Sequence, residues 1–328
     1  MSKFIALSAA ADFLGTGAIE VPEFESEIMD VVRRTSVFLN RVPQPPATGH
    51  PHRYFEQTDI ARGAFTDPRN IAPSAASPTR VERPAFIKAI VNQSNLSLFD
   101  KEVTEQQGRF ASVVAKDIND IITGIEVIRA AAVWNGTDTS MTTPTTTQYM
   151  GALRQITQQA VIAAGASIID GLKAVIAAMA ANQTFVVRPT AIYLNPILGD
   201  YIDRVAKAAK ISMETMDVTA GVSVSALSTQ VGKVPLIGDP WIPTEANPTN
   251  AYGFGAAGAG FKNYFAIVTQ ESEIEMPYIS GNSQTPLPRL FQLGLTGALS
   301  GQYVGVKFDT VIFKGPSYAH AAVAVVRP

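Results

Sequence analysis

The stretch that decides the fold spans residues 100–136 and reads DKEVTEQQGRFASVVAKDINDIITGIEVIRAAAVWNG. Its apolar side chains recur in steps of three and four, at Phe110, Val114, Ile118, Ile121, Ile125, Ile128 and Ala132. That spacing places them on one stripe of an α-helix. Thr104 with Gln107 is typical of a capping box, and Asn135-Gly136 of a left-handed helix end. We predict a helix over residues 105–134, about 45 Å long, whose core residues include Phe110, Ile118, Ile121 and Ile125.

The composition indicates a protein that covers much of its surface with partners. Charged residues make up only 16% of the 328 residues, against about 25% in an ordinary soluble domain. Hydrophobic residues make up an ordinary 46%. A large protein with so few charged residues is expected to cover much of its surface by contact with other subunits. The net charge of −2 does not predict a general nucleic-acid-binding surface. These values favour obligate assembly.

Several classes of site are excluded or disfavoured by residue content. The chain has no cysteine, which excludes disulfides, thiolate metal sites and cysteine nucleophiles. The one candidate for a membrane span, residues 160–181, contains Asp170 and Lys173. Each would cost about 2.5–3.5 kcal/mol at the bilayer centre. We therefore predict a buried helix there and no membrane partner.

An acidic arm and a basic segment lie close together near the start of the chain. Pro22 opens a predicted helix at residues 21–34, with Glu23, Glu25 and Glu27 at its positive end. Residues 20–30 hold five acids and no base, whereas residues 41–88 hold seven bases against four acids. We predict that the arm of one subunit meets the basic segment of another, which gives register more than affinity. The bases concerned are Arg62, Arg69, Arg80 and Arg83.

Residues 53–92 predict two extended arms joined by a turn-rich tip. The tip contains Asp67-Pro68, Pro73-Ser74 and Ser77-Pro78, which are turn-forming pairs. An isolated two-stranded excursion is only marginally stable. We therefore expect this segment to lie on another surface.

The remaining chain predicts a mixture of helices and strands without a fixed repeat. Helices are expected over residues 150–163, 167–181 and 197–209, and a buried strand over residues 184–194. Residues 211–248 are interpreted as loop-rich apart from a short strand at residues 234–237. Further strands are predicted at residues 265–268, 274–276, 290–299, 304–308 and 311–313.

No motif predicts catalysis or a cofactor. Residues 253–258 read GFGAAG, which matches the letters of a dinucleotide fingerprint. That site needs a strand before it and a helix after it, and neither is predicted, so we interpret a flexible loop. His50 and His52 lack a nearby third metal ligand. Asp117 and Asp120 lie on the polar side of a helix and are interpreted as solvated or salt-bridged. A nucleotide-binding α/β enzyme stays open as an alternative.

The serial order of these elements resembles the major capsid proteins of tailed double-stranded DNA bacteriophages, with the Hong Kong 97-type capsid fold. The resemblance includes RPTAIYLNP at residues 188–196, VPLIGDP at 234–240 and GVKFDTVIFK at 305–314. It implies an α+β fold divided into named parts. These are an N-terminal arm (1–42), an extended loop (53–92), a peripheral domain with the long spine helix (93–183 and 269–307) and an axial domain (184–268 and 308–328).

The function implied by the resemblance is structural, without catalysis or cofactor. Such subunits form pentamers and hexamers, and these build an icosahedral shell around double-stranded DNA packaged without sequence specificity. The implied location is the virion, assembled in the host bacterial cytoplasm, with a portal and decoration proteins as further partners. The predicted arm begins within about twenty residues of Met1, so a separate scaffolding protein is expected. An encapsulin-type protein compartment is the alternative within this fold.

Overall fold

The computed structural model of the chain describes residues 36–69, 77–97, 99, 106, 113–211, 213–219, 222–281, 285–293 and 299–328. The predicted arm helix, with Glu23, Glu25 and Glu27, lies outside the described residues. Phe110 and most of the first two turns of the predicted spine helix lie outside them as well.

Five helices and sixteen strands make up the described chain. The helices are α1 (Val37–Arg41), α2 (Val113–Asn135), α3 (Ala152–Gln155), α4 (Ile168–Ala180) and α5 (Pro196–Ala208). The strands are β1 (His52–Asp59), β2 (Thr79–Ala85), β3 (Lys88–Ser97), β4 (Gln159–Ile162), β5 (Ala191–Leu194), β6 (Glu214–Thr219), β7 (Val222–Thr229), β8 (Gly232–Gly238), β9 (Thr244–Ala246), β10 (Lys262–Thr269), β11 (Ile274–Glu275), β12 (Tyr278–Ile279), β13 (Arg289–Leu293), β14 (Leu299–Asp309), β15 (Ile312–Phe313) and β16 (His320–Arg327).

The larger sheet has eight strands, and its strands β5, β10 and β16 are buried on both faces. Its order is β4-β16-β10-β5-β8-β7-β6, and β9 pairs with the start of β10. Along β10, Ala266 and Val268 face a core formed with α4 and α5, whereas Phe265 and Ile267 face a second core. This alternation is the period of two expected for a strand.

Capping residues define the two helices on the first face. Ser167 Oγ accepts a hydrogen bond from the backbone N–H of Asp170 at the start of α4. Asn195 Oδ1 accepts one from Ile197 at the start of α5, where Pro196 occupies the first turn. Both arrangements satisfy N–H groups that a helix leaves unpaired. The helices predicted for these two segments are confirmed.

The smaller sheet carries the long helix. Strand β14 pairs with β3 along most of its length and with β13 and β12 at successive positions. Helix α2 packs across β3 and β14. A Cβ on Gly305 would collide with Ile121 and lie 3.0 Å from Ile125 Cδ1, so glycine is needed for this close approach.

The long helix is present over Val113–Asn135, but its buried side differs from the predicted stripe. Ile121 and Ile125 are buried, and Ile118 is partly exposed. Ile128, which the stripe placed in the core, is 53% exposed, whereas Arg129 is buried. The reason is that Ala130, Val133 and Trp134 near the end of the helix pack into the second core of the larger sheet, so the buried side of the helix changes along its length.

Four further predictions are wrong, each because of strand pairing. Residues 150–163 form only the four-residue α3 and then β4, which pairs in parallel with β16. The strand predicted over residues 184–194 is confined to Ala191–Leu194. The loop-rich segment contains the β6–β7 hairpin. The second arm of residues 53–92 breaks after Ala85 and continues as β3 in the smaller sheet. The α+β class itself is confirmed.

Candidate assembly surfaces

The β1–β2 hairpin is a largely exposed element, with one buried residue in each strand. Its register runs from His52 opposite Ala85 to Asp59 opposite Thr79. Within β1 only Glu56 is buried, whereas Phe55 is 73% exposed. The hairpin is therefore a ribbon with almost no apolar cover.

The middle of the hairpin, where Glu56 lies opposite Val81, is held to the rest of the chain by the buried Glu56 carboxylate. One oxygen accepts a hydrogen bond from Arg83 Nε, and the other accepts one from the backbone N–H of Gly315 at 2.9 Å. Lys314 Nζ lies 5.9 Å from the ring centroid of Tyr54. Burial raises the pKa of the Tyr54 hydroxyl to about 12. These contacts join the hairpin to the turn at residues 314–318.

Beyond the paired strands, residues 60–69 are exposed and belong to no strand. Phe65 is fully exposed, at 109% of its reference area. Of the bases predicted to face another subunit, Arg62 donates to Thr184 Oγ1 at 3.1 Å, and Arg83 is paired with Glu56. Arg69 and Arg80 are exposed. The structure brings none of the four to Glu23, Glu25 or Glu27, which lie outside the described residues, so their pairing stays a prediction.

A buried charge network, not predicted from the sequence, holds α2 on β14. Arg129 Nε lies 2.7 Å from Asp309 Oδ2, and both side chains are at most 2% exposed. Arg129 Nη1 donates to Glu126 at 3.0 Å, and Lys307 Nζ lies 3.0 Å from the same carboxylate. The Tyr149 hydroxyl donates a hydrogen bond to Asp309. Two cations and two anions thus cancel within one cluster, which lets it lie away from water.

The titration behaviour of this cluster follows from burial and from the partner charges. Burial opposes the charge of Arg129, but Asp309 and Glu126 outweigh it and raise the Arg129 pKa. Burial, reinforced by the neighbouring Arg129, lowers the pKa of Lys307. Burial also opposes ionisation of Glu126, yet the two cations lower its pKa. The shifts of Arg129 and Glu126 therefore both favour the charged form of that pair.

Helix α1, at the start of the described chain, packs against the end of α2 and the larger sheet. Arg41 makes two hydrogen bonds to the Glu271 carboxylate, at 2.6 and 2.7 Å. Phe38 of α1 is fully buried, with its ring centroid 4.7 Å from Trp134 and 5.2 Å from Tyr193. This aromatic cluster joins the end of α2 to the face of the larger sheet. It was missed because aromatic residues far apart in sequence carry no local pattern.

Lys88 is engaged within its own chain. Its Nζ lies 2.7 Å from Asp138 Oδ2 and 2.6 Å from the carbonyl oxygen of Thr146. Burial opposes ionisation of Asp138, but the hydrogen bonds from Lys88 and Thr145 outweigh it and lower the pKa to about 2. The Thr-rich segment at residues 137–148 is thus fixed to the first residue of β3.

The segments considered for other chemistry lack the required context. Residues 253–258 form a loop between β9 and β10, and Gly253 and Gly255 have φ values of 81° and 92°. A strand rather than a helix follows, so the geometry of a dinucleotide site is not present. Within the described ranges, no three His, Asp or Glu side chains converge as metal ligands. None of the helices described there is both long and apolar enough to cross a membrane.

Comparison with known proteins identifies the fold. No protein-family model matches the sequence, and no curated protein matches it. Among solved structures, the capsid of a native GTA particle is 11% identical with a TM-score of 0.66, covering 96% of this chain and 98% of that one. The capsid of Helicobacter pylori bacteriophage KHP30 is 9% identical with a TM-score of 0.63, covering 95% and 97%. The chain has the Hong Kong 97-type capsid fold.

The capsid fold is shared with an encapsulin. The holo-SrpI encapsulin complex from Synechococcus elongatus PCC 7942 is 13% identical with a TM-score of 0.58, covering 96% of this chain and 94% of that one. At such identities the likeness is one of fold. The fold predicted from the order of elements is therefore confirmed.

Proposed function

We propose that this chain is a major capsid protein, a structural subunit without catalytic activity. It self-assembles into pentamers and hexamers that close an icosahedral shell around packaged double-stranded DNA. The observation that carries the proposal is the likeness to capsid chains over nearly the full length of both partners, with TM-scores of 0.66 and 0.63.

The exposed hairpin supports an assembly role. A two-stranded ribbon with one buried side chain in β1 gains too little apolar burial to offset the entropy of ordering it. Contact with a neighbouring subunit would supply that burial, so ordering of the loop contributes to the free energy of assembly. In this proposal residues 93–183 and 269–307 form the peripheral domain, and residues 184–268 and 308–328 form the axial domain at capsomer centres.

The acidic arm is proposed to meet the basic loop of a neighbour. Arg69 and Arg80 are the foremost candidates because Arg62 and Arg83 already have partners in their own chain. Exposed pairs are screened over about 8–10 Å at ordinary salt, so assembly is expected to slow at high ionic strength. Changing Glu23, Glu25 and Glu27 to Lys should lower the assembly rate and yield. Unchanged light-scattering kinetics would contradict this pairing.

Further partners belong to the same proposal. We expect a separate scaffolding protein during assembly, a portal, and decoration proteins on the finished shell. The protein would then be found in the virion after assembly in the host bacterial cytoplasm. It would need no cofactor.

The decisive test is the size of particles formed by the purified protein. Sedimentation and negative-stain microscopy should show closed shells, and a protein that stays monomeric would contradict the proposal. Replacing residues 67–78 by a short Gly-Ser turn should leave a soluble, folded protein that stops at monomers or capsomers. Closed shells of unchanged size and yield from that variant would show that the loop is not an assembly element.

An encapsulin-type compartment is the second candidate, favoured by the likeness to the SrpI encapsulin. The two candidates differ in content, because a head holds DNA whereas a compartment holds protein cargo. Particles isolated from the producing cells distinguish them by their ultraviolet absorbance ratio. A spectrum dominated by nucleic acid, with DNA released on disruption, supports the head. A pure protein spectrum with a co-purifying second protein supports the compartment.

A further inference from the structure

A cleft of about 450 Å³ opens on one face of the β1–β2 hairpin. Tyr54, Glu56 and Thr58 all line it, which is the period of two expected for side chains on one face of a strand. Its other walls include residues 139–142 of the Thr-rich segment and the turn at residues 316–318. Three segments that are distant in sequence thus enclose a concave site of the size that binds small molecules.

The charges that line the cleft cancel. Glu56 and Arg83 are the charged residues among its lining, and Arg83 Nε donates a hydrogen bond to the Glu56 carboxylate. An ionic ligand would enter the cleft without a counter-charge of its own, and burying an unpaired charge is costly. The ligand that fits this cleft is therefore uncharged.

Polar groups that are not used elsewhere converge on the cleft. The hydroxyl groups of Tyr54, Ser317 and Tyr318 make no hydrogen bond to any other described residue. Arg83 binds Glu56 through Nε, which leaves the two terminal nitrogens of its guanidinium as donors. A hydroxyl group both donates and accepts, whereas a guanidinium only donates. A ligand whose own polar groups are hydroxyls can pair with all of them.

The cleft offers apolar surface between these polar groups. Its lining includes the rings of Tyr54, Phe313 and Tyr318 and the side chains of Met141 and Met150. Aromatic side chains with a polar tip combine apolar contact area with a hydrogen-bonding group. A pyranose sugar is the complementary ligand, because it has hydroxyl groups at the edge of its ring and C–H bonds on its faces.

The size and orientation of the cleft favour a sugar over a peptide. A cavity of about 150 Å³ holds one benzene molecule, so a cleft of about 450 Å³ has room for one or two sugar rings. A bound peptide strand pairs its backbone with the edge of a sheet. Here it is the face of β1, through Tyr54, Glu56 and Thr58, that lines the cleft.

We propose that this cleft binds an uncharged pyranose sugar, either free or as one residue of a longer glycan. The Arg83 guanidinium and the hydroxyl groups of Tyr54 and Ser317 bind the hydroxyl groups of the sugar. Because the ligand contacts the hairpin and the turn at residues 316–318 together, its binding stabilises the hairpin against local opening. The inference does not depend on the proposed shell function, so either can fail while the other stands.

Calorimetric titration of the purified full chain tests the class of ligand. The probes are glucose, galactose and N-acetylglucosamine with the disaccharides maltose, lactose and chitobiose, and at least one of them should bind at one site per chain. Glycerol has hydroxyl groups but no ring, glucuronate carries a charge, and trialanine is a peptide. Each of these controls should bind about tenfold more weakly or not at all. Failure of all six sugars, or equal affinity for a control, would overturn the inference.

Two neighbouring threonines provide a matched pair of variants that locates the site. Thr142 lines the cleft and Thr143 does not. Both are exposed, and their hydroxyl oxygens lie 3.2 and 3.0 Å from Ser140 Oγ. Thr142→Trp should fill the cleft and lower the affinity for the sugar about tenfold or more, whereas Thr143→Trp should bind like the parent. Equal affinities of the two variants would place the sugar elsewhere and overturn the inference.

A third variant removes one polar group without filling the cleft. Tyr54→Phe keeps the ring and loses the hydroxyl group, so the affinity should fall about three- to tenfold. Unchanged affinity in this variant would contradict the proposed role of Tyr54.

Proteolysis of the hairpin supplies a readout that is independent of heat. Saturating sugar should slow cleavage within β1 and β2 in the parent and not in Thr142→Trp. A sugar that binds without slowing cleavage would contradict a site against the hairpin. Competition by a polysaccharide of the same residue distinguishes the two sources: displacement of the free sugar identifies a longer glycan as the ligand, and no displacement identifies the free sugar.

Discussion

The β1–β2 hairpin and the β10–β16 pair have the same antiparallel pairing but differ in how far their side chains are buried. Both are antiparallel, and β1, β10 and β16 are each eight residues long. Seven of the eight residues of β10 are buried, against one of eight in β1. The difference comes from the helices and strands that cover β10 on both faces. It teaches that ladder hydrogen bonds alone do not make a stable sheet and that burial of the faces does.

Two ion pairs show the same contrast between a buried and an exposed region. Arg129 and Asp309 are buried at the junction between helix and sheet, whereas Arg53 and Glu82 of the hairpin are 65% and 42% exposed. A buried pair carries the cost of desolvation for both ions, so losing one partner leaves an uncompensated charge. When an exposed pair is broken, each ion forms hydrogen bonds with water instead, so little free energy of unfolding is lost. Stability should therefore depend on the first pair and not on the second.

The largest expected effect comes from breaking the buried pair. Arg129→Ala leaves Asp309 charged and buried, so the free energy of unfolding should fall by about 3–5 kcal/mol. Arg53→Ala is the matched control and should change it by about 0–1 kcal/mol. Urea unfolding followed by circular dichroism measures both. Similar losses in the two variants would show that burial does not separate these regions.

The long helix allows the contrast to be tested within one element. Ile125→Ala should cost about 2–5 kcal/mol because Ile125 packs on Gly305. Ile128→Ala removes the same atoms from a side chain that is 53% exposed, and should change stability by about 0.5 kcal/mol or less. Thermal unfolding of the two variants beside the parent gives the comparison. Similar losses in the two variants would mean that the predicted stripe, which contains both residues, and not the structure identifies the buried side.

The stability of the protein should depend on pH through His320, which is buried in β16. His320 is fully buried against Phe313, and burial lowers its pKa to about 4, against about 6.5 when unfolded. Above pH 6.5 His320 is neutral in both the folded and the unfolded protein, so it causes no loss of stability. Between pH 6.5 and 4 only the unfolded state gains the proton, so about 3 kcal/mol should be lost.

Replacing this histidine isolates its contribution from that of the carboxyl groups. His320→Leu cannot ionise, so its stability should fall less than that of the parent between pH 7 and pH 4. The fall in the urea midpoint from pH 7 to pH 4 is measured for the parent and for the variant. An equal fall in both proteins would contradict a neutral buried His320.

The smallest effect on stability is expected at the middle of the hairpin. Glu56→Gln removes the charge that holds Arg83 and weakens the bond from Gly315, but the hairpin opens locally without unfolding the sheets. The free energy of unfolding should change by about 1 kcal/mol or less, while proteolysis within β1 and β2 becomes faster. Glu82→Gln, on the same hairpin but exposed, should leave the proteolysis rate unchanged. Equal rates in the two variants would show that Glu56 is not the anchor.

The sequence alone determined those elements whose pattern is local. The long helix, the helices α4 and α5, and the two strands of the hairpin were predicted because apolar spacing and turn pairs act within a few residues. The order of these elements was enough to identify the capsid fold.

The tertiary structure decided which side of each element is buried and which distant residues meet. Arg129 lies off the predicted apolar stripe, yet it is buried because Asp309, 180 positions later, supplies its partner. Ile128 lies on the stripe but is exposed, because the end of α2 turns Ala130 and Val133 toward the second core instead. Strand β16 escaped prediction because it is buried on both faces and so lacks alternation. Pairing and burial are set by neighbours far along the chain, whereas helix and turn preferences are set by adjacent residues.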